Sequence, residues 1–209
     1  MKYISIGNGC SVKYQIDKYK GKKETLLFDT VLSSMNTVIE LLVCDDINKI
    51  LYFDNIVREI NNPYNGDNSR IIIKSLHYFV SLHDIPKDYD DSHIYSFIDM
   101  CKRRLTRIIN YIKSNEKLCF IRFDTDIIDD ITINKFIQTI LKINPNCNFN
   151  IVVVNNNKAN QVGIIKSNHC LYIKLNIDTP PLPDWSQTFV WTQSILNWEK
   201  IFLDIEKNT

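Results

Sequence analysis

The opening sixteen residues constrain the fold most, because they have the pattern of a strand, a tight turn and a helix in succession. Residues 2–6 are rich in β-branched and aromatic side chains, which is typical of a strand. Gly7 and Gly9 allow the positive φ angles of a sharp turn. The pattern therefore places Cys10 between the first strand and the first helix. Apolar side chains then recur at helical spacing, at Val12, Ile16 and Tyr19.

The predicted position of Cys10 favours reactivity. Free backbone N–H groups and the positive end of the helix dipole meet at a helix amino terminus. A thiol there tends to have a lowered pKa and to act as a nucleophile. The N–H groups of Gly9, Cys10 and Ser11 are candidates for stabilising an oxyanion. The alternative is a small apolar cysteine that packs against the turn.

The rest of the chain alternates helix and strand patterns. Helical spacing of apolar residues predicts helices at residues 31–44, 47–53, 92–112, 133–143 and 192–205. Short apolar runs predict strands at residues 71–73, 78–82, 117–123, 150–154 and 170–175. This order indicates a layered α/β fold, with a mainly parallel sheet flanked by helices. At 209 residues we expect one catalytic domain spanning residues 1–209.

Composition excludes several classes of function. A net charge of +1 argues against a strong electrostatic surface for nucleic acid or membrane. The six cysteines form no CxxC pair, so we expect no metal cage. No secretory segment opens the chain, and no apolar run reaches membrane-spanning length. We therefore expect a reducing, cytoplasmic setting with free thiols.

A cysteine nucleophile needs a base, and the base needs an orienting group. Of the four histidines, His83 is the best candidate base, because it ends an apolar strand and precedes a loop. The alternative is a histidine that merely ends the strand. We expect Asp29 to orient His83. Asp84 is the substitute, although neighbouring side chains on a strand point apart. The other histidines are His77, His93 and His169.

Polar residues at the carboxyl edge of the predicted sheet are candidates for substrate binding, because ligands gather there in open α/β sheets. An arginine row on the long helix is either a solvated face or a phosphate clamp. Asp124 and Asp126, with Asp129 and Asp130, either hold a cation or cap a helix. The candidate substrate-binding residues are Asn8, Arg122, Asp124, Arg103 and Arg104.

Residues 4–16 resemble the opening of the family of putative papain-like cysteine peptidases, formerly a domain of unknown function. That family begins with Ser-Leu-Gly-x-x-Cys and a helix. The resemblance runs in order as far as Arg122. Where the family has Phe-Asp-Trp, this chain has Thr30 in place of the tryptophan that would supply a stacking or pocket-wall contact. The further matches are Phe28-Asp29, His83-Asp84, Arg103-Arg104-Leu105-Thr106-Arg107 and Phe120-Ile121-Arg122.

The resemblance implies a Cys-His site, and it adds a papain-like α+β fold as the alternative architecture. Similar domains occur beside sugar-modifying enzymes, including in giant viruses, where relatives resemble N-acetyltransferases acting on amino sugars of nucleotide-sugars. We therefore expect an acetyltransferase that uses acetyl-CoA as its donor substrate and a nucleotide-sugar as its acceptor. In a virus it would work in the host cytoplasm. A cysteine peptidase and a non-catalytic accessory domain of carbohydrate biosynthesis are the alternatives.

Overall fold

The computed structural model describes residues 1–7, 10–22, 24–59, 70–81, 84, 90–124, 127–157, 160–167, 169–176 and 196–209. Within these ranges there are five α-helices and nine strands. The helices are α1 Ser11–Lys20, α2 Met35–Val43, α3 Asp91–Lys113, α4 Asp130–Ile143 and α5 Trp198–Asn208. The strands are β1 Lys2–Ser5, β2 Val31–Ser33, β3 Ile56–Glu59, β4 Arg70–Ile73, β5 Phe79–Ser81, β6 Leu118–Asp124, β7 Phe149–Asn156, β8 Gly163–Ser167 and β9 Cys170–Leu175.

The main sheet has five strands in the order β1-β6-β7-β9-β8. The first four strands in this order run parallel, and β8 pairs antiparallel to β9 at the edge. The central strands are almost continuously apolar, as expected for strands covered on both faces. Of the two fold classes predicted from the sequence, the layered α/β arrangement is therefore the one observed.

Helices cover both faces of the main sheet. On one face, Val12 and Ile16 of α1 pack with Trp198 and Phe202 of α5 against the sheet. On the other face, the apolar sides of α2, α3 and α4 form a second, larger core, in which Phe136 of α4 is fully buried. The amphipathic pattern of each helix thus matches the face that it covers.

A second sheet was not predicted. It has four antiparallel strands in the order β2-β5-β4-β3 and lies between α1 and α3 in the chain. Its strands are only three or four residues long, so periodicity revealed β4 and β5 but not β2 and β3. The predicted helix at 31–44 is wrong in its first part, because β2 precedes α2 and Ser34 caps the helix by accepting from the Thr37 N–H.

The other strands and helices follow the predictions closely. Strands β6, β7 and β9 and helices α3 and α4 lie at the expected positions. The short helix expected at 47–53 is instead two 3-10 turns, Ile47–Lys49 and Phe53–Asn55. Strand β8 was missed, because it is a short, exposed edge strand, Gly163–Ser167, whose two apolar residues are adjacent and so show no alternation. The last helix is α5, and residues 192–195 of the prediction lie outside the described residues.

None of the helices in the described part of the chain is both long enough and apolar enough to cross a membrane.

Gly7 makes the turn after β1 possible. Its φ is +91°, and a Cβ at this position would lie 2.1 Å from Ser33 Oγ of β2. The end of β1 therefore approaches the end of β2 more closely than any side chain permits. Gly21, after α1, also has a positive φ, of +79°, but a Cβ there would meet nothing within 4 Å.

These two glycines form a matched pair for mutation. Gly21→Ala bears only the cost of the positive φ, about 1–3 kcal/mol. Gly7→Ala bears that cost and the overlap with Ser33, so we expect it to lower the free energy of unfolding by about 1–3 kcal/mol more. Urea denaturation of both variants measures the difference. Equal losses would show that β1 and β2 do not approach each other as described.

Candidate functional site

The carboxyl ends of β1 and β6 enclose the candidate site. These two strands are neighbours and parallel, yet α1 after β1 and α4 after β6 cover opposite faces of the sheet. The chain connections therefore diverge above these two strands and leave a crevice, which is where open α/β sheets bind ligands. Cys10 lies at this crevice, directly before α1.

Cys10 is the N-cap residue of α1, and its side chain makes no capping hydrogen bond. Its carbonyl accepts from the Tyr14 N–H at 3.0 Å, so Cys10 contributes to the helix through its backbone and not through its thiol. The thiol is half-buried. Burial raises the pKa of the Cys10 thiol, and its own backbone amide opposes this only partly. The expected lowering of this pKa is thus wrong for the described surroundings, and the thiol depends on a separate base for its ionisation.

Asp29 is buried beside the first turn of α1. Its Oδ2 accepts from the Leu26 N–H at 2.7 Å and lies 4.0 Å from Lys13 Nζ. Lys13 lies on α1 three residues after Cys10, and its side chain reaches from the helix to Asp29. Asp29 Oδ1 is buried and has no hydrogen-bond partner among the residues that the structure describes.

The surroundings of Asp29 change its titration. Burial raises the pKa of Asp29 to about 7, and the Leu26 N–H and the Lys13 charge limit the rise. Asp17, which pairs with Lys13 at 2.7 Å, raises it slightly further. Arg104 acts in the opposite direction. Asp29 is therefore poised between its acid and its carboxylate near neutral pH.

Asp84 belongs to a hydrogen-bonded cluster next to Asp29. Its Oδ2 accepts from Ser81 Oγ at 2.5 Å and from Thr30 Oγ1 at 3.5 Å. Its Oδ1 lies 3.7 Å from Arg104 Nη1, which also donates to Thr30 Oγ1 at 3.2 Å. Thr30, which stands where the family has tryptophan, thus joins Arg104 to Asp84. Both oxygens of Asp84 already face protein groups, whereas Asp29 has one that does not.

Arg122 and Asp124 form an internal ion pair at the end of β6. Arg122 Nε and Nη2 donate to Asp124 Oδ2 at 3.1 and 2.9 Å. Nη1 donates to the Ile6 carbonyl and Nη2 to the Ser33 carbonyl, both at 2.9 Å. Arg122 is only 3% exposed. Its guanidinium therefore holds the ends of three strands together, and its donors face protein acceptors instead of the phosphate expected from the sequence.

The arginine row on α3 does not form one solvated face. Arg104 turns toward Asp84, as described above. Arg107 donates to the Thr25 carbonyl at 3.2 Å and lies 3.8 Å from Glu24. Only Arg103 is exposed. Of the two alternatives for this row, the solvated face is therefore wrong for Arg104 and Arg107, because α3 lies beside the segment before β2.

Three predicted site residues, His83, Asn8 and Gly9, lie outside the described residues. The other histidines all lie elsewhere. His93 caps the start of α3 together with Asp90. His169 stacks on Phe149 with ring centroids 4.6 Å apart. His77 is exposed in the bend before β5. None of the histidines that the structure describes is therefore placed to serve Cys10.

The acidic residues after β6 act mainly as local caps. Asp129 is the N-cap of α4 and accepts from the Thr132 N–H at 2.6 Å. Asp130 accepts from the Tyr172 hydroxyl at 2.9 Å. Asp126 lies outside the described residues. Among the residues that are described, no three His, Cys, Asp or Glu side chains are grouped so that they could hold a metal ion.

Lys13, Thr30 and Ser81 take part in the site but were not predicted. Lys13 had a usable signal, because a residue three positions after Cys10 on a helix must lie on the same side. Ser81 and Thr30 had none, since their roles depend on the pairing of β2 with β5, where Val31 lies opposite Ser81. Such contacts arise from tertiary structure and leave no periodic pattern.

Comparison with known proteins agrees with the resemblance noted in the sequence. Residues 1–159 match the family described as "Putative papain-like cysteine peptidase". An uncharacterized protein of Acanthamoeba polyphaga mimivirus is 26% identical over 222 residues, which cover 97% of this chain and 97% of that protein. This relative confirms the resemblance to giant-virus proteins. No solved structure matches the chain.

The raised pKa of Asp29 predicts a particular dependence of stability on pH. The ordinary pKa is 3.8, so between pH 4 and 7 the folded protein binds more protons than the unfolded chain. The contribution of Asp29 to stability is therefore fully present below pH 4 and is lost as the pH rises to about 7. The full shift corresponds to about 4 kcal/mol. Asp29→Asn removes this loss but buries an amide NH₂, so we expect a net gain of about 1–3 kcal/mol at pH 8.

Urea denaturation of Asp29→Asn and of wild type at pH 5 and pH 8 tests this. The advantage of the variant should shrink as the pH falls. Asp99→Asn, at an exposed position on α3, serves as the control and should show no such trend. An advantage that grows toward acidic pH would contradict the raised pKa.

Proposed function

We propose that this chain, which belongs to the family of putative papain-like cysteine peptidases, is a cysteine-dependent acyltransferase. It transfers the acetyl group of acetyl-CoA to the amine of an amino sugar carried on a nucleotide. Cys10 is the nucleophile, His83 the general base, and Asp29 the residue that orients His83. Such a reaction needs a reduced thiol and acetyl-CoA, which fits the host cytoplasm of a virus.

The arrangement of Cys10 and Asp29 carries this proposal. The Cys10 thiol is free of capping duty and lies at the crevice of the sheet. Asp29, which the side chain of Lys13 reaches from the first turn of α1, offers a buried carboxylate oxygen that has no partner among the described residues. A buried acceptor without a partner costs free energy, so its presence near the start of the helix that follows the nucleophile supports a partner that is used in function. An imidazole N–H has the geometry and charge to satisfy it.

In the first half-reaction, His83 takes the proton of the Cys10 thiol. The thiolate sulfur attacks the thioester carbonyl carbon, and the carbonyl electrons move to oxygen. The N–H groups of Cys10, Ser11 and Gly9 stabilise that oxyanion. When the carbonyl re-forms, the bond to the coenzyme A sulfur breaks. The departing thiolate takes the proton from His83, and Cys10 is left as an acetyl thioester.

In the second half-reaction, the acceptor amine attacks the acetyl carbon on Cys10. His83 takes the proton that the amine loses, and the Cys10 thiolate leaves as the amide forms. Because water is a competing acceptor, the acetyl-enzyme must be kept from it until the amine arrives. The half-buried position of Cys10 helps in this, and the same burial makes the base necessary by raising the pKa of the thiol.

The remaining candidate residues take different parts in the proposal. Asn8 and Arg103 contact the substrate, and the exposed guanidinium of Arg103 is suited to phosphate. Arg104 is already engaged with Asp84 and Thr30, so it shapes the wall of the site. Arg122 and Asp124 set the position of the crevice by joining the strand ends.

A cysteine peptidase is the second candidate, and the description of the family favours it. The same thiol, base and orienting acid would act on an amide instead of a thioester, and water would be the acceptor. The acyl-enzyme of a peptidase carries a peptide acyl group, whereas the acyl-enzyme proposed here carries acetyl. The two reactions are therefore separable by mass.

Covalent acetylation of Cys10 tests the proposal directly. After incubation with acetyl-CoA and no acceptor, intact-mass measurement should show one added acetyl group on wild type and none on Cys10→Ala. Cys44→Ala is the matched control, because Cys44 is the other half-buried thiol among the described cysteines. It should be acetylated like wild type. With acceptor present, double-reciprocal plots should be parallel, as in ping-pong kinetics.

The other outcomes have distinct meanings. Peptide cleavage that depends on Cys10, without acetylation, would replace the proposal with the peptidase. Neither activity would indicate the non-catalytic accessory role. Intersecting lines together with an undetectable acetyl-enzyme would indicate direct transfer within a ternary complex.

The choice of Asp29 over Asp84 gives a second kinetic prediction. Loss of the carboxylate that orients the base costs about 10⁴-fold in rate in the serine-protease triad. We expect a loss of that order in turnover for Asp29→Asn, since the tautomer and charge of the base are no longer fixed. Asp84→Asn keeps an acceptor for Ser81 and Thr30 and should be much milder. Steady-state rates of both variants decide the matter. An inactive Asp84→Asn beside a nearly normal Asp29→Asn would reverse the assignment.

A further inference from the structure

A cavity of about 430 Å³ opens at the carboxyl ends of β7 and β9, beside the start of α4. This volume lies in the range of small-molecule sites, roughly 300–1,000 Å³. Its lining combines two carboxylates, one lysine and several aliphatic side chains. No residue of the cavity takes part in the chemistry proposed above, so the cavity needs its own explanation.

The polar groups of the cavity have unused hydrogen-bonding capacity. Asp129 caps α4 with one oxygen, and Asp130 accepts from the Tyr172 hydroxyl with one oxygen. Both carboxylates are exposed at the opening of the cavity, and Lys174 beside them is half-buried. The cavity therefore presents acceptors and donors side by side, as a ligand with several hydroxyl groups requires.

The apolar side of the cavity is unusually exposed. Ile127 is 75% exposed and Ile165 is 48% exposed, and both line it together with the ring of Tyr172. A ligand lying between these side chains would remove apolar surface from water. The carboxylates can accept hydrogen bonds from hydroxyl groups, and the aliphatic side chains can pack against the face of a ring. Together these groups are suited to a sugar ring.

The charges of the cavity disfavour ligands that carry a phosphate at this position. Two carboxylates to one lysine disfavour a phosphate inside it. The ribose of coenzyme A carries a 3′-phosphate and thus lacks the free pair of neighbouring hydroxyls. A ribose with free 2′ and 3′ hydroxyls, as in the nucleotide part of a nucleotide-sugar, carries no phosphate there for the carboxylates to repel. A carboxylate that binds ribose hydroxyls at a strand end is a known arrangement in dinucleotide-binding folds.

The distance from Cys10 fits the same ligand. Asn155 lines the cavity and donates to the Asp124 carbonyl at 3.1 Å, so the cavity adjoins the end of β6. Strands β7 and β9 lie two and three strand spacings from β1, about 10 and 14 Å. A diphosphate and one hexose ring span a length of that order. An acceptor whose amine reaches Cys10 would thus place its ribose between β7 and β9.

We propose that this cavity binds the ribose of the nucleotide-sugar acceptor, with Asp129, Asp130 and Lys174 contacting its hydroxyl groups. This assignment rests on the proposed function for the identity of the acceptor. It concerns binding alone, however, and is measurable on a protein that cannot be acetylated. A hexose ring of an oligosaccharide acceptor shares the same chemistry and is distinguished in the test.

The experiment is an NMR titration of ¹⁵N-labelled Cys10→Ala protein with uridine and with adenosine. We expect saturable shifts of amide signals from residues 127–130 and 172–174. The 2′,3′-dideoxy nucleosides should bind about tenfold more weakly, since they lack the hydroxyls that the carboxylates and the lysine contact. Adenosine 3′-phosphate, which mimics the ribose of coenzyme A, should also bind more weakly than adenosine.

Variants locate the binding site. Asp130→Asn and Lys174→Gln should each weaken nucleoside binding about five- to tenfold, and Asp99→Asn on α3 should leave it unchanged. Equal binding of the dideoxy nucleosides, or no shifts in the cavity, would overturn the assignment. Binding of methyl glucoside but not of the nucleosides would overturn it in favour of a hexose. Because Cys10 is absent from this experiment, failure of acetylation and failure of ribose binding are separate results.

Discussion

The guanidinium of Arg122 joins the parts of the molecule that make the site. It contacts the end of β1 through the Ile6 carbonyl, the end of β2 through the Ser33 carbonyl, and Asp124 on its own strand. A charged group this deeply buried is stable only when it is paired and fully hydrogen-bonded. The two sheets are thereby tied together next to the turn that carries Cys10. The close approach of Gly7 to Ser33 lies within the same contact.

Burial has the same consequence for the two reactive groups at this point, because it raises the pKa of each. It raises the pKa of the Cys10 thiol and so suppresses the thiolate. It also raises the pKa of Asp29 to about 7 and so weakens a carboxylate that orients a base. Both effects destabilise charge that the chemistry needs. Transfer of the thiol proton to an imidazole that Asp29 supports would form a thiolate and an imidazolium together. The imidazolium would then stabilise both the thiolate and the Asp29 carboxylate.

The sequence predicted the elements that are long enough to show a periodic apolar pattern and missed the shorter ones. Strands β6, β7 and β9 are long apolar runs, and α3 and α4 have clear stripes, so periodicity identified all five. The second sheet has strands of three or four residues, too short for a period to emerge. The same limit applies to the site. Cys10 was visible from its turn and Asp29 as the acid that ends a short apolar run, and Lys13 could have been found from its spacing to Cys10. Thr30 and Ser81 became visible only when the segments were packed together.

The fold also bears on the reaction. The name of the family refers to papain, but the chain has a layered α/β sheet, and its thiol lies at a crevice formed by two parallel strands. The carboxyl edge of the same sheet leads from β1 past β6 to β7 and β9, where the cavity beside α4 opens. Ligands of open α/β sheets bind along this edge. Hydrolysis needs only water as the second substrate, whereas the proposed acyl transfer needs a binding site for its acceptor. A cavity lined by carboxylates and a lysine at the same edge is therefore the structural argument in favour of that proposal.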